Sequence, residues 1–407
     1  MTTGAVQQER YAARGPARPG APGRASGRLG PFRVGQIVVL ELGILIVAVA
    51  FNGPVWLQAV AFTAVLVLLA LPFGRRDGRW WYEHLALRQR FRKRRQQAAA
   101  AARTADPRRM ALAALAPDLS VSEVVDRGTT FGVGQDSGGW FVVFDVGART
   151  AAQEQRGSLV GLDRLAVMLT EMSVPVSGLQ LVSHTVPAPA RQLDPRVPAV
   201  QSYQELLAGA MVPASHHVWL AVRLDPSDGM RAAASRGGGI DGVRRALAAS
   251  VGRITKAMQA SFGGRPLNAD ELVAALSTVA GTPAGVGGRA GAGAVNGAVE
   301  EWTGWRDRSA NHVCFELGGL PRRPLGELIG ELIRTPALSF TLSVLLVEHG
   351  HHLAVRPLVR VSSTPEAFEG TARQVSEVLQ RDGTTVRRLD GQHAPALYST
   401  APTGGGK

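Results

Sequence analysis

The chain has 407 residues, a formal net charge of +13 and a single cysteine, Cys314. One cysteine excludes an intramolecular disulfide, which suits a soluble domain in a reducing compartment. The charge is uneven, because residues 1–109 hold 18 of the 45 basic residues and 5 of the 32 acids. The remainder is therefore balanced, and composition gives no indication of a nucleic-acid-binding domain.

The N-terminal third begins with a polar segment and continues with two apolar runs. Residues 1–30 are rich in Gly, Pro, Ala and Arg, which predicts a disordered basic tail. The apolar runs cover about 36–51 and 56–73. Each approaches the ~17–25 helical residues that cross a bilayer core. Because the turn between them is short, we predict a transmembrane helical hairpin over 34–73.

The charges that flank this hairpin predict its orientation. Basic residues precede the first run and follow the second, whereas the turn carries no charge. Basic flanks stay in the cytoplasm, so both chain termini are predicted to be cytoplasmic, in a multi-pass protein of the plasma (inner) membrane. The alternatives are a buried core hairpin and a signal peptide cleaved after Ala48-Val49-Ala50. The flanking charges disfavour the first, and the second apolar run disfavours the second.

Glu41 is the one ionisable residue inside the first apolar run. A carboxylate at the bilayer centre costs ~2.5–3.5 kcal/mol, and less near the interface. Its side chain therefore either reaches the cytoplasmic interface or pairs with a polar group on a partner's membrane helix. Both readings stay open at the level of sequence.

Residues 75–109 are predicted to form a basic juxtamembrane helix or linker. Trp80 and Trp81 suit the aromatic belt of a membrane interface. A dense basic stretch follows and is predicted to lie against anionic lipid headgroups, at ~1 kcal/mol per residue. Together with Glu41 and the two tryptophans, its members are the candidate membrane and partner contacts: Arg88, Arg90, Arg92, Lys93, Arg94 and Arg95.

A cytosolic domain is predicted over 117–395. Short β-like runs such as 129–133 and 140–146 alternate irregularly with amphipathic stretches such as 240–261, and a strand hairpin is predicted over 338–361. This mixture predicts an α/β or α+β mixed-sheet domain after the membrane hairpin. Residues 282–298 are expected to be a flexible Gly-rich loop, and residues 396–407 a disordered tail.

The recognisable motifs of this domain favour structural over chemical roles. The glycine-rich segment lacks the Gly-Lys-Ser/Thr of a phosphate-binding loop. His349, His351 and His352 have the density of a zinc site, but a polar turn between two strands is favoured, because adjacent strand residues point to opposite faces. Cys314 lies in an apolar run, which favours a buried structural thiol over a catalytic one. No catalytic residue, cofactor or metal is predicted.

Two carboxylates keep an enzymatic alternative open. Asp145 and Asp225 each follow an apolar β-like run, and sites of α/β enzymes gather where strands end. The same positions are ordinary for turns. The alternative function is a membrane-anchored, transferase-like enzyme with strand-end carboxylates, and a third possibility is a module that senses a cytosolic ligand.

The layout of the whole chain resembles a known family. A basic tail, two closely spaced apolar runs beginning within Gly27–Gly43, a basic exit and a soluble domain are arranged as in the EccE subunit of actinobacterial type VII (ESX) secretion systems. Within the soluble domain, His217–Leu224 resembles the family's central strand, and Trp302–Phe315 resembles its Trp-containing segment.

The resemblance implies a structural role without catalysis. EccE subunits are core components of the inner-membrane secretion complex, beside EccB, the ATPase EccC and EccD. The resemblance implies these subunits as partners, no cofactor and no catalytic residues. It predicts a subunit that stabilises the complex through membrane helices and a cytosolic domain.

Overall fold

The computed structural model describes most of the chain from residue 28 onward. The described residues are 28–102 without 30–31, 52, 74 and 77–78; 112, 115–146 without 127; 165, 167, 176–188, 196, 198–207, 212–261, 264–280; and 298–405 without 308–309, 324, 350–351 and 382. The predicted basic tail, apart from residues 28–29, and almost all of the predicted Gly-rich loop lie outside them. The chain divides into one unit at Pro16–Arg94 and a second built mainly from Arg95–Lys407.

The first unit consists of helices and two very short strand pairs. Its helices are α1 (Val34–Ala50) and α2 (Val55–Phe73), and helix α3 (Trp81–Ala102) begins in it. Its strands are β1 (Arg28–Leu29) with β2 (Phe32–Arg33), and β3 (Arg75–Arg76) with β4 (Arg79–Trp80). The two predicted apolar runs are thus both helical, and four residues connect them.

The second unit is organised around one antiparallel sheet of twelve strands. In spatial order its main path is β11-β12-β13-β15-β14-β8-β9-β7-β6-β5, with β10 beside β7 and β16 beside β13. The strands are β5 (Ser120–Asp126), β6 (Thr129–Asp136), β7 (Gly139–Asp145), β8 (Gly178–Ala188), β9 (Val212–Leu224), β10 (Arg265–Pro266), β11 (Val299–Glu300), β12 (Trp305–Arg306), β13 (Asn311–Leu317), β14 (Ser339–His349), β15 (His352–Ser363) and β16 (Val386–Arg388). The predicted mixture of helices and strands is confirmed, as an α+β domain.

Helices cover both faces of this sheet. They are α4 (Pro198–Leu207), α5 (Pro226–Ala234), α6 (Gly239–Ser261), α7 (Ala269–Ala280), α8 (Leu325–Ile333), α9 (Phe368–Gln380) and α10 (His393–Thr400). Helices α5, α6, α8 and α9 pack on one face, which is apolar. Helices α7 and α10 pack on the other face, where buried polar side chains accompany the apolar ones.

The sheet consists of two halves with the same connectivity. From each outer edge inward the strands follow the same chain order, β5-β6-β7-β9-β8 in the first half and β11-β12-β13-β15-β14 in the second. The short strands β10 and β16 also pair with equivalent partners, β7 and β13. The halves meet where β8 pairs with β14. A pseudo-twofold relation between these two strands therefore organises the unit.

Local signals at helix α7 work as the sequence indicates. The Asn268 amide donates to Oε2 of Glu271, and the Glu271 amide donates to Oδ1 of Asn268, both at 2.9 Å. This reciprocal pair is a capping box. Leu267 and Leu272 are both buried in the same apolar cluster. The start of this helix is therefore determined by residues that are adjacent in sequence.

The structure corrects the prediction of a disordered tail from residue 396. Helix α10 extends to Thr400, and the following residues lie against the sheet, with Ala401 and Thr403 buried. Composition suggested disorder because the segment is small and Gly-rich. Its backbone groups nevertheless find hydrogen-bond partners in the sheet, and these partners are distant in sequence.

Candidate membrane and partner interface

The outer surface of helices α1 and α2 is apolar. Large apolar side chains point outward along both helices, and Val55 is the most exposed of them at 81%. The others are Leu42, Ile44, Leu45, Val47, Val49, Trp56, Val60, Phe62 and Leu66, with Phe51 in the turn. Each such side chain gains ~1.5–3 kcal/mol when fully removed from water. A contiguous surface of this kind requires lipid or other protein to cover it.

The two helices are joined by a tight, internally bonded turn. The Gln58 side-chain amide donates to the carbonyls of Phe51 (2.9 Å) and Gly53 (3.1 Å). A Cβ atom at Gly43 would lie 3.3 Å from Cγ1 of Val65, so the backbone of α1 approaches α2 closely there. The Thr63 hydroxyl donates to the Ala59 carbonyl at 2.8 Å, which satisfies its polar group within the helix.

Within the described residues, no helix combines the length and the apolar character that a membrane crossing demands. Helix α1 comprises 17 residues and helix α2 comprises 19. The predicted pair of helices is therefore present, and its passage through a bilayer stays a prediction.

The predicted contact residues lie along this unit and helix α3. Glu41 is exposed on α1. Trp80 ends β4 and Trp81 begins α3, at the position between the apolar helices and the basic helix. The basic side chains of α3 are exposed except for Arg94, which is half-buried: Arg88, Arg90, Arg92, Lys93 and Arg95.

The structure separates the two carboxylates of the enzymatic alternative. Asp145 ends β7 opposite Trp219, whereas Asp225 follows the last residue of β9. Since β7 and β9 are antiparallel, six residues of β9 separate the two carboxylates, about 20 Å at ~3.4 Å per residue. Asp145 lies opposite Arg265, and Oδ1 of Asp225 lies 3.8 Å from Nε of Arg223. The two groups therefore do not form one site.

The histidines and the cysteine also occupy structural positions. His349 ends β14 and pairs with His352, which begins β15, whereas His351 lies outside the described residues. Among the described residues, no cluster of His, Cys, Asp and Glu has the arrangement of a metal site. Cys314 is fully buried, and this burial raises the pKa of its thiol to about 12. A protonated thiol is a poor nucleophile at neutral pH.

Sequence reasoning missed a buried ionic cluster in the first half of the sheet. Arg223 forms an ion pair with Asp136, and it donates to the carbonyls of Gly138 (3.2 Å) and Thr403 (2.7 Å). The hydroxyl of Tyr398 donates to Oδ2 of Asp136 at 2.7 Å. The available signal was Arg223 itself, a charge inside the otherwise apolar run Val218–Leu224 of strand β9.

Gln180 completes the attachment of the C-terminal segment. Its Oε1 accepts from the amides of Thr403 (3.1 Å) and Gly405 (3.0 Å), and its Nε2 donates to the Ser399 carbonyl at 2.7 Å. Gln180 and Arg223 belong to the first half, whereas the segment follows α10 of the second half. The segment therefore connects the two halves through hydrogen bonds between its backbone groups and the side chains of Gln180 and Arg223.

A polar row crosses the centre of the sheet beneath α10. Register places His217, His184, Thr341, Arg360 and Cys314 side by side on consecutive strands. Thr341 accepts from Arg360 and pairs with Nδ1 of His184, both at 2.9 Å. Burial is the main cause that lowers the pKa of His184 to about 3, and the Arg360 charge adds to it. From His184 to Cys314 the row is thus a buried network with a neutral histidine, whereas His217 at its end is exposed.

The comparisons with known proteins bear on the second unit. A family model described as "Putative type VII ESX secretion system translocon, EccE" matches residues 212–317. The match includes both stretches on which the resemblance was based, His217–Leu224 and Trp302–Phe315. No curated protein matches the chain. The predicted resemblance to the EccE family is thereby confirmed over residues 212–317.

Proposed function

We propose that this protein is a non-enzymatic structural subunit of the membrane-embedded type VII secretion core complex. Helices α1 and α2 insert in the plasma membrane as a hairpin, and the second unit lies in the cytoplasm and braces the assembly. The observation that carries the proposal is the apolar outer surface of α1 and α2 in a chain that matches the EccE family. The partners are the other core subunits, EccB, the ATPase EccC and EccD.

The membrane hairpin and the second unit contact the same assembly, so each contact makes the other more favourable. Once the hairpin is held among partner helices, the second unit meets its own partner at a raised effective concentration. The basic side chains of α3 add attraction to anionic headgroups, at ~1 kcal/mol per residue. The Glu41 side chain either reaches the membrane interface or pairs with a polar group on a partner helix. Assembly of the Glu41→Leu variant distinguishes the two, because unchanged assembly would exclude the pairing.

Membrane insertion is tested by placing charges on the apolar surface. In the variant Ile44→Lys/Val60→Lys, we expect the chain to leave membranes during an alkaline carbonate wash that the wild type resists. The matched control is Val125→Lys, which changes an exposed valine of the second unit. Release of the wild type by the same wash would overturn the proposed insertion.

Assembly is tested by deleting the gene and restoring either the wild type or the double-lysine variant. We expect native electrophoresis of solubilised membranes to show the complete complex, and secretion, only with the wild type. An intact and secreting complex in the deletion strain would contradict a structural role.

The orientation in the membrane is tested with a protease applied only from outside the cell, which should leave the second unit uncut. Cleavage beyond residue 112 would reverse the proposed orientation.

The enzymatic alternative receives no support from the geometry. Its two carboxylates lie about 20 Å apart by strand length, at ~3.4 Å per residue. Acid–base chemistry on one substrate needs both groups within hydrogen-bond reach of the reacting atoms.

A further inference from the structure

The two halves of the second unit differ in the charge of the helices that cover their apolar face. Helices α5 and α6 cover this face of the first half, and helices α8 and α9 cover it in the second half. Within their bounds, α5 and α6 carry five basic residues and two acids. Helices α8 and α9 carry one basic residue and four acids. The helices on this face thus carry opposite net charge in the two halves.

Two of the four acids on α8 and α9 form ion pairs with three arginines outside these helices. Glu331 forms ion pairs with Arg323 and Arg381, and Glu369 forms an ion pair with Arg388. These arginines lower the pKa of both glutamates through hydrogen bonds and charge. The excess of acid on α8 and α9 is therefore already compensated.

The positive charge of α6 lacks such compensation. Arg244 pairs with Asp241 at 3.3 Å, and both side chains are largely exposed. Further along the helix, Arg253 and Lys256 are exposed, and neither forms an ion pair with another described residue. From Arg244 to Lys256 the basic stretch extends about 18 Å at ~1.5 Å per residue.

Exposed apolar side chains accompany this charge on the α5–α6 hairpin. Met230 on α5 is 57% exposed and Ile240 at the start of α6 is 50% exposed. Among the described residues of α8 and α9, no large apolar side chain is exposed to this degree. Interfaces between proteins combine apolar anchors with a charged rim, and complementary charge steers the encounter. The unpaired charge and the apolar anchors therefore occur together on one helical pair.

We propose that the outer face of the α5–α6 hairpin, formed by Met230, Ile240, Arg244, Arg245, Arg253 and Lys256, is a docking surface for an acidic segment of another protein subunit. An anionic membrane is the less suitable occupant, because interfacial helices bury a broad apolar face in lipid, and among the side chains of α6 that the structure describes only Ile240 is large, apolar and exposed. This inference rests on the proposed function, which supplies the assembly in which the partner is found.

The sequence provides a precise chemical reporter for this surface. Lys256 is the only lysine between residues 94 and 406. A carbodiimide joins a lysine amine to a carboxylate without a spacer, so it reacts only where the two groups form a close ion pair. In the purified secretion complex, we expect mass spectrometry to find Lys256 joined to an Asp or Glu of another core subunit. The variant Lys256→Arg keeps the charge and must lose the link.

A charge-reversal variant gives an independent measurement. In Arg253→Glu/Lys256→Glu, we expect the complex to dissociate at a lower salt concentration than the wild type. The matched control is Arg334→Glu/Arg373→Glu, which reverses two exposed arginines of the second half. Wild-type salt resistance in the test variant, or equal loss in both variants, would overturn the proposal.

The other possible outcomes of these experiments also test the inference. Links from Lys256 only to a second copy of this chain, or no link in an intact complex, would overturn the inference while the proposed function stands. Salt resistance that depends on anionic lipid in nanodiscs, and not on the partner, would assign the surface to the membrane instead. Failure of the wild-type chain to purify with the complex would overturn the proposed function itself.

Discussion

Tyr398 donates a 2.7 Å hydrogen bond to Asp136, although 262 residues separate them along the chain. The same carboxylate is ion-paired with Arg223, and all three side chains are buried. The hydrogen bond joins helix α10, in the second half, to the end of strand β6, in the first. It also shows that the C-terminal residues are part of the folded core.

Removal of Asp136 should strongly destabilise the second unit. Asp136→Ala leaves the buried guanidinium of Arg223 without its counter-ion, which costs ~3–5 kcal/mol. Tyr398→Phe leaves one carboxylate oxygen without its donor, at ~1–3 kcal/mol. Denaturant unfolding measures both. Asp241→Ala, which removes an exposed ion pair with Arg244, is the control and should cost ~0–1 kcal/mol. Similar losses in all three variants would contradict the buried cluster.

Truncation of the C-terminal segment should loosen the connection between the two halves. Deleting residues 401–407 removes the Thr403 carbonyl from Arg223 and two amides from Gln180. We expect a lower midpoint of thermal unfolding. Deleting only 406–407 is the control, because the hydrogen-bonded residues remain. An unchanged midpoint after the longer deletion would show that these hydrogen bonds contribute nothing to stability.

His184 should make the fold sensitive to acid. Its pKa is about 3 in the folded chain and 6.5 ordinarily, so between these values the unfolded state binds the proton and the folded state does not. Stability therefore falls as pH decreases from about 6.5 towards 3, by up to ~1.4 kcal/mol per pH unit for one group. His184→Asn keeps a partner for Thr341 and should reduce this slope, measured by unfolding at a series of pH values.

The control for this slope is His217→Asn, because His217 is the exposed neighbour of His184 in the same row. Its slope should differ less from that of the wild type than the slope of His184→Asn does, because burial is the main cause that lowers the pKa of His184. Equal slopes in wild type and His184→Asn would refute the neutral, buried state of His184.

Cys314 should resist thiol reagents while the chain is folded. Burial prevents access and raises the pKa of the thiol to about 12, so at pH ~8 it is protonated. We expect negligible labelling by a maleimide under native conditions and one label per chain in denaturant, counted by mass spectrometry. Since the ordinary pKa is 9.0, the unfolded state loses this proton first, and stability falls above pH ~9. Rapid native labelling would contradict the buried position.

Neutralising Asp145 and Asp225 should leave secretion intact. Asp145→Asn and Asp225→Asn each remove a carboxylate that lies at a different end of the sheet. If neither takes part in chemistry, secretion in the complemented deletion strain equals that of the wild type at equal protein abundance. Loss of secretion with normal abundance in both variants would revive the enzymatic alternative.

Strand and helix positions were predictable where local pattern determines them. The strand predicted over 140–146 appears as β7, and the amphipathic stretch predicted over 240–261 appears as helix α6, each shifted by no more than one residue. Helix α5 was missed, because it has only nine residues and buries small ones, Gly229, Ala232 and Ala233, in place of large apolar side chains.

By itself, the sequence determined the apolar helix pair, the basic helix after it and the irregular mixture of strands and helices, because these depend on composition and neighbouring residues. Only the tertiary structure decided the antiparallel order that separates Asp145 from Asp225, and the burial of Arg223 beneath the C-terminal segment. These features depend on contacts between residues far apart in the chain. Such contacts leave no local pattern, because their free energy comes from burial and pairing that exist only after the sheet has formed.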